Sequence, residues 1–333
     1  MHTTQTCYGT RPSTGLDIAA PEEALALGTQ LLMHVMRFRR VPAAGTSCGD
    51  SPCAECLAPH LARVVASVAS REPISFVLPA FPGKSPNPTK VLGPMPDMAE
   101  QRSLEFLASL CERIGREYAP GARVVLCSDG RVFNDVVGIR DIDITGYQHE
   151  LSAMMGRIST SALATFNLDQ VFAGLSFEAM RERLMQEYGE PLETLRDAVR
   201  AGGEPQRLYC GITRFLVEDA TRPDGMASRS ALQRECRRRA YEVIRRSQAW
   251  GRLLEAHFPQ AVRLSIHPQD CGSEKLGIHM METADSWLTP WHGVAVDMGG
   301  HFVLLKRAEA EALGARVVAR EGRASHYELT GAT

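Results

Sequence analysis

No apolar run in this chain approaches the ~18 residues needed to cross a bilayer, so no membrane-spanning helix is expected. A basic surplus is also missing. Lys plus Arg number 37 against 39 Asp plus Glu, for a net charge of -2, and the positive face a nucleic-acid partner requires is not expected. There is no internal repeat and no long low-complexity tract. Met1 to Ala20 is polar and has no apolar h-region, so it is expected to be a flexible lead-in rather than a secretory signal. Nine cysteines in 333 residues are odd in number and thinly spread, which points to reduced thiols in the cytoplasm and not to a disulfide framework. What remains is ordinary globular usage, 44% hydrophobic and 23% charged, which excludes a disordered chain. That length suits one large α/β unit or two sub-domains.

The pattern of elements is legible. Pro21 with Glu22 and Glu23 predicts a helix start, continuing through Leu31-Leu32 to Arg37, Arg39 and Arg40, with Pro42 and Gly45 as the stop. A short Cys- and Pro-bearing segment precedes a helix over Leu61 to Ala69. Ile74-Ser75-Phe76-Val77-Leu78 reads as a buried strand. Pro79 to Pro96 is too rich in Pro and Gly to be helical. A helix over Asp97 to Tyr118 follows, and then a second buried strand at Arg123 to Cys127. This is a β-α-β unit, whose right-handed crossover makes its strands parallel. Tyr147 to Phe258 reads mainly as helix, clearest over Ser230 to His257. Strands are expected at Ala261–Ile266, Leu276–Met281, Gly293–Val296, Phe302–Leu305 and Arg316–Ala319, with a short helix at Ala308–Leu313.

Ligands of open α/β sheets bind outside the carboxyl ends of the strands. The segment from Phe81 to Lys90 and the turn Ser128-Asp129-Gly130-Arg131 are therefore expected on one sheet edge, where they gather Lys84, Lys90, Arg131, Asp129, Ser85 and Ser128. Gly83-Lys84-Ser85 is not a nucleotide phosphate loop. Leu78 stands where that motif needs its first Gly, and Pro86 and Pro88 block the helix that must follow. The lysines can still donate to another phosphate as point charges.

Other constellations stand beside bland readings. Cys48, Cys53, Cys56 and His60 offer four soft ligands within thirteen residues, suited to a structural zinc, or else are reduced cysteines ahead of a helix. His267 at a strand end and His292 after Trp291, with Lys275 nearby, could serve acid–base chemistry, whereas His279 reads as a satisfied core residue. Trp287 and Trp291 could form an aromatic slot or simply be core. The run Arg234, Arg237, Arg238, Arg239, Arg245, Arg246 reads as a solvated helix face.

Several strings go further. Phe76 to Asn87 (FVLPAFPGKSPN), Leu92 to Glu100 (LGPMPDMAE), Cys127 to Phe133 (CSDGRVF), Arg263 to Pro268 (RLSIHP) and Leu288 to His292 (LTPWH) resemble the signature of the isocyanide (isonitrile) synthase family, also called the pyoverdine/dityrosine biosynthesis family, of PvcA and IsnA type. The likeness runs from about Leu31 to Ala319. It implies a Rossmann-like core over residues 74–147, a helical section over 148–259 and a β-rich section over 260–320, all within one domain of residues 21–320 and followed by a tail over 321–333. It also implies an enzyme in which the α-amino group of tyrosine or tryptophan receives a carbon from ribulose 5-phosphate. No nicotinamide, flavin or pyridoxal cofactor is implied. The partners would be these two small molecules, with a homo-oligomer left open.

On that reading Lys84, Lys90 and Arg131 grip the phosphate and the carboxylate, helped by the hydroxyls of Ser85 and Ser128. His267 and Asp129 are the first choice of proton shuttle, and His292 with Lys275 the second. Phe81, Phe133, Trp287 and Trp291 form the side-chain slot. Two other readings stand beside it: a sugar-phosphate lyase or aldolase using Lys84 or Lys275 as a Schiff base, and a metal-stabilised binding or scaffold protein built on the cysteine cluster.

Overall fold

A computed structural model of the chain describes residues 21–42, 48, 51–158, 160–221 and 228–329, so the expected lead-in over 1–20 falls outside the described residues. Two helices come first, α1 (Pro21–Met36) and α2 (Ala54–Ser70), and α1 buries Leu31, Leu32 and Val35. The first strand, β1 (Ile74–Leu78), is followed by an irregular segment and by α3 (Met98–Glu117). Asp97 caps α3 through the Ala99 N–H at 2.9 Å while Glu100 reaches back to the Asp97 N–H at 3.0 Å. Then come β2 (Ala122–Ser128), α4 (Gly130–Val137), α5 (Asp141–Ile158) and β3 (Leu163–Asn167). The middle holds α6 (Leu168–Val171), α7 (Phe177–Tyr188), α8 (Leu192–Ala201), α9 (Gly203–Ala220) and the long α10 (Arg229–His257). After it lie β4 (Val262–Ser265), β5 (Leu276–Gly277), a 3-10 turn at Pro290–His292, β6 (Val294–Asp297), β7 (Phe302–Leu305), α11 (Arg307–Ala312), β8 (Arg316–Arg320) and β9 (Arg323–Glu328).

The main sheet has the order β3-β2-β1-β4-β5 and every pairing in it is parallel. Ile74 stands opposite Ala122 and Leu78 opposite Leu126, the Rossmann-like β-α-β core expected from the sequence. One face packs Phe76, Leu78, Val124 and Leu126 against α1, α2, α3 and α5. The other packs Val77, Val125 and Cys127 against Trp250, Leu253 and Leu254 of α10. The chain builds outward from β1 to β3 and then returns to β4 on the opposite side, so the strand order reverses between β1 and β4. A second, mixed sheet, β7-β6-β9-β8, covers the C-terminal part.

Several elements differ from the sequence reading. Residues 130–131, read as a turn, begin α4. The helical section contains β3, whose residues Leu-Ala-Thr-Phe-Asn lack a continuous apolar run because this edge strand is only partly buried. Only Leu276–Gly277 of the expected Leu276–Met281 strand pairs in the sheet. The region taken for a tail contributes β9, held between β6 and β8; its sequence, RASHYE, has no apolar run, although Ser325, His326 and Tyr327 are buried.

One buried cation fastens these parts together. The Lys84 ammonium lies 2.9 Å from Asp97 Oδ2 and 2.8 Å from Glu100 Oε2, and it donates to the Pro290 carbonyl at 3.1 Å. Tyr147 Oη donates to the other Glu100 oxygen at 3.1 Å. The segment after β1 is thereby tied to the start of α3 and to the 3-10 turn. Removing one partner of a buried ion pair leaves uncompensated charge and costs roughly 3–5 kcal/mol. Lys84→Ala is expected to lower the free energy of urea unfolding by that amount, and Lys84→Met combined with Asp97→Asn and Glu100→Gln to recover most of it. A loss in Lys84→Ala below about 1 kcal/mol, the range of an exposed pair, would show that the ammonium holds nothing together.

Candidate active site

The switch between β1 and β4 is where an open α/β sheet leaves a crevice, and three connected cavities occupy it. An inner lobe of ≈ 110 Å³ shares Asp129, Ser247 and His267 with a second lobe of ≈ 130 Å³. It shares Phe215 and His292 with an outer lobe of ≈ 470 Å³. Val77 and Pro79 of the β1 side and Leu264 to His267 of the β4 side form the floor of the second lobe. Ile212 of α9 and Val243 of α10 close over both of the smaller lobes.

Backbone geometry sets the inner wall. Gly130 is required where it stands, because a Cβ there would come within 1.9 Å of the Pro82 carbonyl oxygen. Phe81 adopts a left-handed φ of 58°, which costs a non-glycine residue roughly 1–2 kcal/mol. Its full burial against Trp291, with ring centroids 5.4 Å apart, and the Ser128 hydroxyl donating to its carbonyl at 2.9 Å hold that conformation.

Asp129 follows β2 and is half-buried in the cleft. It makes no side-chain capping bond to α4, and Oδ1 has no hydrogen-bond partner in the protein. Burial pushes its carboxyl up to about 7. His267 follows β4, its Nδ1 is also unpartnered, and its ring lies 5.5 Å from that of Trp287. Burial, then the charges of Arg40, Lys275 and His292, pull it down to about 3, so its imidazole is neutral at neutral pH. Arg40 belongs to this device: it donates to the carbonyls of Ile266 and Leu288 and, at 3.3 Å, to His279 Nδ1.

On the other wall His292 stacks on Phe215 at 4.9 Å, meets Thr289 Oγ1 through Nδ1 at 2.9 Å, and faces Asp219 Oδ2 through Nε2 at 3.5 Å. Asp219 accepts from Ser85 Oγ and from Lys90 Nζ, each at 2.6 Å. Burial alone would raise its pKa, but His292 and Lys90 outweigh that and hold the carboxyl well below the usual range. Lys275 lines the second lobe; burial of its ammonium, then Arg263, lowers its pKa. The cleft therefore offers a carboxyl poised near neutrality, a neutral imidazole, a carboxylate-backed imidazole and a cation.

Asp129, Lys275, His267, His292, Ser85, Phe133 and Trp291 of the expected set line the cleft, and Lys90 stands in its outer lobe. The others do not. Lys84 is fully buried and spends its donors on Asp97, Glu100 and Pro290, which rules it out as a phosphate ligand or Schiff-base amine. Arg131 is buried on the far side of α4, bonded to Asp141 and Thr145, 3.3 Å from Asp169 and under the Phe177 ring. Ser128 and Phe81 support the wall from behind, and Trp287 packs behind His267 against Gly211. Of the arginine run on α10, Arg238 and Arg239 pair with Glu235 on an exposed face, while Arg245 and Arg246 pair with Glu242 and Arg246 also with Asp135.

The cysteine cluster also changes. Cys48, Cys53 and Cys56 gather with Cys271, their sulfurs all within 4.8 Å of one another, a set that could hold a metal ion. His60 is buried nearby with an unpartnered Nδ1 but is not one of the four. Asp219, Phe215, Arg40 and Cys271 escaped the sequence reading. Each lies far along the chain from its partners, and none carries a local motif.

A model of the pyoverdine/dityrosine biosynthesis protein family matches residues 64–318. The chain is 46% identical, over 92% of its length and 93% of the relative's, to a protein of Fischerella ambigua named L-tryptophan isonitrile synthase. It is 52% identical, over 81% of its length and 84% of the relative's, to one of Pseudomonas aeruginosa named L-tyrosine isonitrile synthase. The crystal structure of the PvcA protein from Pseudomonas aeruginosa superposes with a TM-score of 0.87 at 48% identity, over 91% of this chain and 99% of that one.

The position of Asp129 makes a pH-dependent prediction. Its folded pKa of about 7 stands above the unfolded value near 3.9, so ionising it opposes folding. That penalty is absent below about pH 4, grows through the interval and is complete above about pH 7. Asp129→Asn is expected to raise the urea midpoint at pH 8 and to leave it unchanged at pH 4. Identical midpoints of variant and parent at pH 8 would mean that the carboxylate is well solvated.

Proposed function

Since the chain belongs to the pyoverdine/dityrosine biosynthesis protein family, we propose that its cleft performs the isonitrile synthase reaction on L-tyrosine or L-tryptophan, with ribulose 5-phosphate as the carbon donor. The observation that carries this reading is that Asp129 and His267 both line one cleft at the strand-order reversal and each keeps a buried atom, Oδ1 and Nδ1, without a hydrogen-bond partner in the protein. Acid–base groups without protein partners suit a substrate that supplies them. The assembly acts as a carbon–carbon lyase.

The chemistry states its own needs. The α-amine must lose a proton before it attacks the C2 ketone; water leaves as the imine forms, and both carbon–carbon bonds of C2 must then break, with loss of phosphate, so that this carbon ends bonded to nitrogen alone. Those steps call for proton relays and charge stabilisation rather than redox. A group titrating near neutrality works well in both directions, so Asp129 takes the role of principal acid and base. His267 is a poor base with its pKa near 3 and serves instead as a neutral hydrogen-bonding group that polarises the ketone. His292, backed by Asp219, is the second relay. Lys275 and Arg263 in the second lobe, with Lys90 at the outer one, replace Lys84 and Arg131 as the cations that meet the phosphate and the carboxylate. Phe133, Trp291 and Phe215 line the slot for the aromatic side chain. No organic cofactor is assigned.

Incubating the full chain with L-tyrosine or L-tryptophan and ribulose 5-phosphate labelled at C2 is expected to yield a labelled isocyano acid by mass spectrometry. No labelled product from either amino acid would end the proposal, and borohydride trapping of the sugar on Lys275 would favour the lyase or aldolase alternative. Asp129→Asn is expected to lower kcat by about 10²–10⁴-fold with KM little changed, and to abolish the pH limb near neutrality. His267→Gln is expected to retain the parent's pH profile; loss of a limb in that variant would return His267 to the role of base.

A further inference from the structure

The sulfurs of Cys48, Cys53 and Cys56 form a compact group with that of Cys271, which is remote in sequence but not in space. Cys53 precedes the first residue of α2, Cys56 lies in its first turn, and Cys271 sits in the connection between β4 and β5. Cys56 Sγ is 2.9 Å from that of Cys271 and 3.2 Å from that of Cys48. Cys53 Sγ is 3.1 Å from Cys271 and 3.7 Å from Cys56, and Cys271 is 3.9 Å from Cys48. A disulfide needs about 2.05 Å, so these distances describe unbonded sulfurs. A tetrahedral zinc with bonds of about 2.3 Å sets its sulfurs roughly 3.8 Å apart, within the observed spread.

Chemistry narrows the occupant. Four thiolates at this separation repel unless a cation lies among them, and an all-sulfur tetrahedral set favours zinc over the oxygen-seeking calcium and magnesium. The next layer agrees, because Arg39 Nη2 points its donor at Cys48 Sγ from 3.8 Å. A guanidinium in that place offsets the negative charge of a tetrathiolate centre and orients a ligand. His60, which the sequence spacing put in the set, stands outside it.

We infer that Cys48, Cys53, Cys56 and Cys271 form a structural zinc site that clamps the β4–β5 connection to the start of α2. Cys271 is four residues beyond His267 and four short of Lys275, so the clamp grips the segment that carries two lining residues of the cleft. The connection already lies close to α2 here: a Cβ on Gly272 would stand 3.1 Å from Glu55 Oε1. Arg40 holds the same segment from its ends, through the Ile266 carbonyl and through its own N–H to the Gly277 carbonyl at 2.7 Å. The site follows from the sulfur geometry alone, whereas its bearing on turnover rests on the function proposed above.

The test measures metal first, without reference to turnover. The full chain, purified without chelator, is expected to carry about one zinc per chain by elemental analysis. Exchange with Co²⁺ is expected to give the visible bands of a tetrahedral tetrathiolate. Cys271→Ser is expected to lose at least about fivefold of the zinc and those bands, while His60→Ala keeps both. Should Cys271→Ser aggregate, Cys53→Ser serves instead, together with mercurial release of zinc from the unaltered protein. Hydrogen exchange over residues 268–276 is expected to speed up on zinc removal while the main sheet stays protected. Zinc-free protein with reduced thiols, disulfides among the four, an iron–sulfur cluster, or full zinc in Cys271→Ser would each overturn the site. Unchanged exchange over 268–276 would overturn the clamp. An inactive protein with intact zinc would fail only the isonitrile synthase proposal.

Discussion

The placement of the cleft depends on a cation that never meets solvent. Lys84 is enclosed by Asp97, Glu100 and the Pro290 carbonyl, and burial, which alone would lower its pKa, is outweighed by the two carboxylates, so its pKa is raised. Its ammonium uses three donors on two other segments of the chain, the start of α3 and the 3-10 turn. Burial, offset in part by Lys84 and reinforced by Asp97, pushes Glu100 up to about 7, so the cluster balances close to neutrality. Such a pair adds little net stability over an apolar replacement, but it specifies a single arrangement of the segments it joins. The segment after β1 is thereby held against the 3-10 turn that carries Trp291 and His292, and a further backbone bond from Ser85 N–H to the Trp291 carbonyl at 2.9 Å runs alongside.

From that frame the two walls of the cleft acquire opposite electrostatic characters. The β2 and β4 side presents groups whose charged forms are disfavoured: Asp129 by burial, His267 by burial and by Arg40 beside it. The α9 side presents an ion network in which Asp219 is held ionised by His292 and Lys90. Proton transfer between a neutral wall and a charged one, across a guest that bridges them, is the kind of work the arrangement suits. Water would compete for the same groups, and α9 and α10 with their apolar Ile212, Leu216 and Val243 restrict its access.

The parallel core was legible because its signal is local. Phe76–Leu78 and Val124–Cys127 are continuous apolar runs, and the Asp97–Glu100 cap can be read within four residues. Elements placed by pairing were not legible: β3 and β9 have mixed or polar sequences and take their positions from neighbouring backbones. The same divide runs through the site. Asp129, His267, Lys275 and His292 follow from their places at strand ends and in Pro/Gly-rich connections. Lys84 and Arg131 stand in the same kinds of places, yet their charges turn inward to carboxylates supplied by Asp97 and Glu100, or Asp141 and Asp169.

By itself, the sequence determined the α/β class, the parallel β-α-β core, the end of the sheet where the cleft lies, and, through its long motif strings, the family. These depend on neighbours a few residues apart, and hydrophobic periodicity and turn chemistry act over that range. Only the tertiary structure decided which cations face the cleft, that Asp219 backs His292, and that Cys271 rather than His60 completes the thiol group. Charges and sulfurs find partners through space, and the chain distance between partners such as Cys53 and Cys271, 218 residues, leaves no trace in local pattern.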